Sequence, residues 1–148
     1  MGLDMYLEKE YSLWDSNEAE KKEKILAMFP ELKRKPLYIK VSIGVIYWRK
    51  ANAIHSWFVN HVQGGEDDCG RYYVTAEQLK ELLETVKRVL ADKPLAERLL
   101  PTQEGFFFGG TEYDEYYFSD LENTQKSLEE VISASDFGSA EYYYHSSW

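Results

Sequence analysis

"LYIKVSIGVIYWRKANAIHSWFVNH", Leu37 to His61, decides the fold because its hydrophobic period changes half-way along. Leu37 to about Tyr47 is crowded with β-branched and aromatic residues and reads as a strand, with Gly44 marking a bulge or bend. From Tyr47 to His61 the spacing becomes helical: Trp48, Ala51, His55, Phe58 and, just beyond, Val62 share one face, flanked by Ile54 and Val59. Tyr47 and Trp57 widen the apolar arc, so this helix is expected to pack on more than one side, as a central helix does. On its other side Arg49, Asn52, Ser56, Asn60 and Gln63 form a polar stripe at spacings of three and four.

Towards the N-terminus, "GLDMYLEKEY" alternates Leu3, Met5 and Leu7 with Asp4, Tyr6 and Glu8, the period of a half-buried strand. "DSNEAEKKEKILAMFPELKRKP" follows as a solvated helix, with Asp15, Ser16 or Asn17 as cap and Pro30 as its end. Ile25, Leu26, Met28 and Phe29 are expected to anchor it, and Lys33, Arg34 and Lys35 sit in the connector to Pro36. Towards the C-terminus, "QGGEDDCGRYYVT" is a loop leading into a short extended piece at Arg71–Val74. Thr75 and Gln78 form a capping box for a helix striped by Leu79, Leu82, Leu83, Val86, Val89 and Leu90. "KPLAERLLP" gives a helical turn, Leu121, Leu128, Val131 and Ile132 a last amphipathic helix, and "EYYYHSSW" a final extended segment.

The order is β, α, β, α, short β, α, α, α, β, which makes the class α+β. We expect one domain over residues 1–148: a small, mainly antiparallel sheet of the N-terminal, middle and C-terminal strands, covered by about four helices. The two terminal strands are expected to be neighbours.

The totals exclude several function classes. With 148 residues the chain fits one domain able to bury roughly 70% of its unfolded surface. Hydrophobic residues make up 44% and charged residues 29%, far from the disordered range. A single cysteine, Cys69, rules out an internal disulfide framework and a multi-cysteine zinc site. "MGLDMYLEKEY" reads as no signal peptide, and no apolar run approaches the ~20 residues of a membrane span, so a cytoplasmic protein with no membrane partner is expected. Charge is uneven: residues 1–60 hold ten Lys/Arg against eight Asp/Glu, and residues 61–148 hold seven against eighteen. That acidic second part repels a phosphate backbone, so no direct nucleic-acid partner is expected. The plainer reading of the acids is a solubilising surface; the sharper one is a face that meets a basic protein.

Candidate chemistry lies in three places. If the helix begins near Trp48, then Arg49 and Lys50 stand in its first turn, where free backbone N–H groups also favour an anion. Arg49 supplies a fork, Lys50 a point charge and Asn52 a donor and acceptor, so that with Trp48 they form a candidate anion site. The plainer reading is a wet helix face with Arg49 paired to an acid. His55 belongs to the candidate set too, although on an apolar face a core histidine hydrogen-bonded to a tyrosine or carbonyl is the simpler role. His61, Asp67, Asp68 and Cys69 lack any standard metal-ligand spacing, so no metal and no cofactor are expected. Asp67 and Asp68 are read as stabilising their loop or pairing with Arg71, and Cys69 as a buried, inert thiol. "GFFFGGTEYDEYYF" is the third place: Tyr113, Asp114, Glu115, Tyr116 and Tyr117 bring phenols and acids together. The phenylalanines between glycines suit a turn with φ > 0, and at least two of Phe106–Phe108 are expected to be buried.

The blocks "MGLDMYL", "YWRKANAIHSWFV", "DDCGRYYV", "LPTQEGFFFGGTEYDEYY" and "YYYHSSW" together resemble a family of small proteins of bacteriophages and prophages, over nearly the whole chain. That family carries no established activity. The resemblance implies a phage-type protein acting in the bacterial cytoplasm, with "RKAN", "DDCG", "GFFFGGTEYDEYY" and "SSW" as the places where a shared site would lie.

The expected function is a phage accessory protein that binds without catalysis, engaging a host protein or a small anionic ligand, as a monomer or homodimer. Its candidate ligand-binding residues are Trp48, Arg49, Lys50, Asn52, His55, Tyr113, Asp114, Tyr116 and Tyr117. One alternative is a nucleotide or phosphoester-processing enzyme, with His55 or His61 as base, Asp67 and Asp68 on a metal, and Arg49 and Lys50 on the phosphate. Another is an acidic inhibitor that mimics nucleic acid, with the carboxylates of the last fifty residues along one face.

Overall fold

The computed structural model describes residues 2–134 and 139–148. Four strands, β1 (Asp4–Trp14), β2 (Tyr38–Arg49), β3 (Tyr72–Val74) and β4 (Ala140–Ser147), form an antiparallel sheet in the order β2-β1-β4-β3. The helices among the described residues are α1 (Ala19–Leu26), α2 (Asn52–His61), α3 (Ala76–Ala91), α4 (Ala96–Leu99) and α5 (Glu115–Ser133), with a 3-10 turn at Lys93–Leu95. The α+β class holds, and β1 and β4 are neighbours, Asp4 opposite Ser147 and Tyr11 opposite Ala140.

Alternation explains the sheet. Met5, Leu7, Ile46, Trp48, Val74, Tyr142 and Tyr144 point to one face and are buried beneath the helices. Leu79, Leu82, Leu83, Val86 and Val89 of α3, with Leu121 and Leu128 of α5, close that layer. Each such side chain contributes about 1.5–3 kcal/mol by leaving water. Tyr144 stacks flat on Phe58 of α2 with ring centroids 3.9 Å apart, and the Trp48 indole N–H donates to Thr124 Oγ1 of α5 at 2.9 Å. The register slips between Leu7 and Glu8, where β2 carries the extra residue Val45 beside Gly44; the bulge foreseen at Gly44 is present. Thr75 and Gln78 cap α3 reciprocally.

Several expectations need correction. The quoted stretch remains a strand through Arg49, because Trp48 opposite Met5 keeps the period of two. Lys50 then turns the chain with φ +56°, and α2 starts only at Asn52. None of Asp15, Ser16 and Asn17 caps α1; Asn17 Oδ1 instead accepts from the Trp14 N–H and stops β1. Met28 and Phe29 are exposed, while Ile25 and Leu26 are half-buried, and α1 is held as well by Lys22, which is fully buried and donates to Asp15 and to the Leu37 carbonyl. Only Phe108 of the three phenylalanines is buried: Phe106 is 82% exposed and Phe107, at φ +64°, is half-exposed. Cys69 is exposed at φ +58°, not a buried thiol. Arg71 pairs with Glu8 and Glu10 across the sheet, not with Asp67 or Asp68. Among the described residues no helix is long and apolar enough to cross a membrane.

Candidate functional site

The turn that ends β2 also builds a cavity. Lys50 folds back so that its N–H donates to Leu3 and its carbonyl accepts from Asn52. The side chain of Asn52 then gathers the aromatic segment: its amide donates to the carbonyls of Phe108 and Gly110 at 3.1 and 2.9 Å, and its carbonyl accepts from the Gln103 N–H at 3.0 Å. Thr102 adds bonds to the Tyr113 hydroxyl and the Thr111 carbonyl. Gly109 has φ +90° and lies so close that a Cβ there would stand 3.1 Å from Lys50 Cβ, a conformation and a contact that favour glycine. Asp114 then caps α5 by accepting from the Tyr117 N–H.

Between the start of α2 and the start of α5 these ties leave a cavity of about 310 Å³. One wall carries Arg49, Lys50 and the first turn of α2; the other carries Glu112, Asp114, Tyr116 and Asp120, with Tyr117 and Leu121 at the floor. No side chain caps α2, and the N–H groups of Ala53 and Ile54, both on the cavity, meet no acceptor among the described residues. The Lys50 ammonium forms no ion pair with a described residue, whereas Arg49 reaches Asp4 at 3.7 Å. Burial first, and then the charge of Asp114, push the Asp120 carboxyl up to about 6. Tyr117 donates its hydroxyl to the Leu100 carbonyl at 2.7 Å, and burial raises its pKa too.

Of the nine candidate residues, Arg49, Lys50, Asn52, Asp114, Tyr116 and Tyr117 meet around this one cavity. Asn52 does so with its amide already committed to the loop. Trp48 is instead in the core, and Tyr113 is half-buried with its ring edge-on to Tyr117. His55 lies on a second cavity, of about 430 Å³, with Asp67, Glu104, Phe108 and Trp148. Sequence reasoning missed Asp120 and Thr102. The signal for Asp120 was present: once Asp114 is taken as a cap, residues 117, 120/121, 124 and 128 fall on one helical face.

His55 is wholly buried, and both of its ring nitrogens are engaged. Nε2–H donates to Asp67 Oδ2 at 2.9 Å, and Nδ1 accepts from the Tyr144 hydroxyl at 2.6 Å, a tautomer set by those partners. Asp67 Oδ1 accepts from the Trp148 indole at 3.0 Å. His61 stacks on Trp57 and bonds its carbonyl, and Asp68 binds the Gly70 N–H and the Tyr72 hydroxyl. The groups that the phosphoester reading brings together are therefore distributed over separate places, and no cluster of three potential metal ligands occurs among the described residues. The C-terminal carboxylates are also dispersed: Asp114 and Asp120 at the cavity, Glu129 near Lys87, Glu141 beside Tyr143.

Comparison with known proteins finds no matching family model, no matching curated protein and no matching solved structure.

Proposed function

We propose that this chain is a non-catalytic binding protein that holds a small ligand in the cavity between the starts of α2 and α5. The carrying observation is the uncapped first turn of α2: Ala53 and Ile54, whose N–H groups meet no acceptor among the described residues, line the cavity beside Lys50, which forms no ion pair with a described residue. An anionic group of the ligand sits there. Across the cavity the carboxylates of Asp120 and Glu112 accept no hydrogen bond from a described residue and are open to a donor or cationic group, so the ligand is anionic at one end and donor-bearing at the other. The acidic wall narrows the anionic ligand expected from sequence: a polyanion meets repulsion here, a small zwitterion does not. The setting of a phage accessory protein in the bacterial cytoplasm rests on the sequence resemblance alone.

The test is native mass spectrometry of the purified protein, followed by calorimetric titration with α-amino acids and with a phosphate monoester. Retention or micromolar binding of one of these, weakened about tenfold by Lys50→Ala, supports the reading. Binding that ignores both Lys50→Ala and Arg49→Ala, or no binding by any probe, defeats it.

A further inference from the structure

The sheet extends past its helical layer. Beyond the bulge, the inward-facing pairs of β1 and β2 are Lys9 with Ile43, Tyr11 with Val41 and Leu13 with Ile39. Among the described residues the helix over it there is α1, which leaves a groove of about 410 Å³ lined by Tyr11, Leu13, Val41 and Ile25, with Lys21 and Lys24 on its rim. Ile43, next along the same face, is 47% exposed. No carboxylate of the described residues lines the groove. Lys21 pairs with Glu18 and Lys24 with Glu20 only on the surface, and pairs of this kind exchange partners at little cost. The groove and the cavity at Arg49 lie at opposite ends of β1, seven to nine residues apart or about 25 Å.

We propose that this groove docks an amphipathic helix with acidic flanks from a partner protein. Elsewhere on this face the sheet is covered by helices, so an added helix continues the layer, its apolar stripe on Tyr11, Leu13, Val41 and Ile25 and its carboxylates at Lys21 and Lys24. A second copy of the chain fits less well. Isologous pairing sets Lys21 and Lys24 against their own copies, and the apolar stripe of the acidic helix α5 is already buried. A flat anionic bilayer spans more than the groove and meets Glu18, Glu20, Glu23 and Glu31, none of which lines it, whereas a docked helix sets its carboxylates only at Lys21 and Lys24.

The experiment is fluorescence anisotropy with the full chain and a labelled synthetic peptide of about four helical turns, leucines at i, i+3, i+4 and i+7, flanked by glutamates. Its counterpart carries lysines in place of the glutamates. The glutamate peptide is expected to bind about tenfold tighter or more, and to weaken with added salt. Lys21→Glu with Lys24→Glu should reverse that preference without touching the core, and Ile25→Asp should abolish binding. Equal binding of both peptides, binding of neither, or indifference to the charge reversal overturns the proposal. So does self-association, by sedimentation, or binding to phosphatidylglycerol vesicles that Ile25→Asp removes. Arg49→Ala and Lys50→Ala leave this peptide binding unchanged, which separates it from the cavity.

Discussion

Nδ1 of His55 lies 2.6 Å from the Tyr144 hydroxyl, and through this bond helix α2 is fastened to the C-terminal strand it packs upon. The other ring nitrogen carries the fastening on to Asp67, and Asp67 to Trp148. His55→Ala leaves a buried hydroxyl without its partner and opens a cavity. A loss of about 3 kcal/mol in urea unfolding is expected, and about 1 kcal/mol for Tyr144→Phe. A His55→Ala loss below that of Tyr144→Phe would show that the ring is not what joins the two elements.

Lys50 has a strained backbone and a charge with no ion pair among the described residues, and one substitution separates the two. At φ +56°, Lys50→Gly relieves a left-handed conformation and is expected to hold or raise stability by up to about 1 kcal/mol. The same change removes the ammonium from the cavity, so ligand binding falls about tenfold. Thermal unfolding and calorimetry on one sample measure both, and a parallel fall in the two would refute the separation.

Asp120 sets a pH dependence. Its folded carboxyl titrates at about 6, above the unfolded value of about 3.9. The folded state therefore binds the extra proton between these values. The stabilisation is complete below about pH 4 and is lost as pH rises through about 6. Asp120→Asn removes that loss, and at pH 7 it should be the more stable protein by about 1 kcal/mol, the full shift being reduced for the water that reaches the carboxyl. Wild type minus variant, measured as melting temperature from pH 4 to 7.5, should slope downward; a flat difference would sink this account.

Lys22 is expected to govern α1 alone. It is wholly buried, and its ammonium binds Asp15 and the Leu37 carbonyl. Lys22→Ala should raise hydrogen exchange throughout α1 and leave α3 and α5 protected. Uniform loss of protection would mean that α1 is part of the global folding unit.

Thr75 offers a simple local control. Its hydroxyl accepts from the Gln78 N–H while the Gln78 side chain accepts from the Thr75 N–H. Thr75→Ala should cost about 1 kcal/mol in chemical denaturation, with the cavity's ligand affinity unchanged.

Sequence alone determined whatever depends on neighbours within a few residues. The period-two run of Met5 and Leu7, the stripe from Leu79 to Val89 and the Thr75–Gln78 box each carry their own physical reason, and each stands in the fold. Half of the cavity was legible as well, since "RKAN" and "EYDEYY" already held its charges and phenols. Tertiary structure decided the rest. Between Trp48 and Ala51 both periods fit, and only pairing with Met5 kept Trp48 in the strand and gave the turn to Lys50. Burial of Lys22 and exposure of Phe106 run against side-chain polarity, because each depends on what covers the site. Asp120 and Lys50 face one cavity only because Asn52 holds a loop more than fifty residues away in sequence, a long-range relation that no local period encodes.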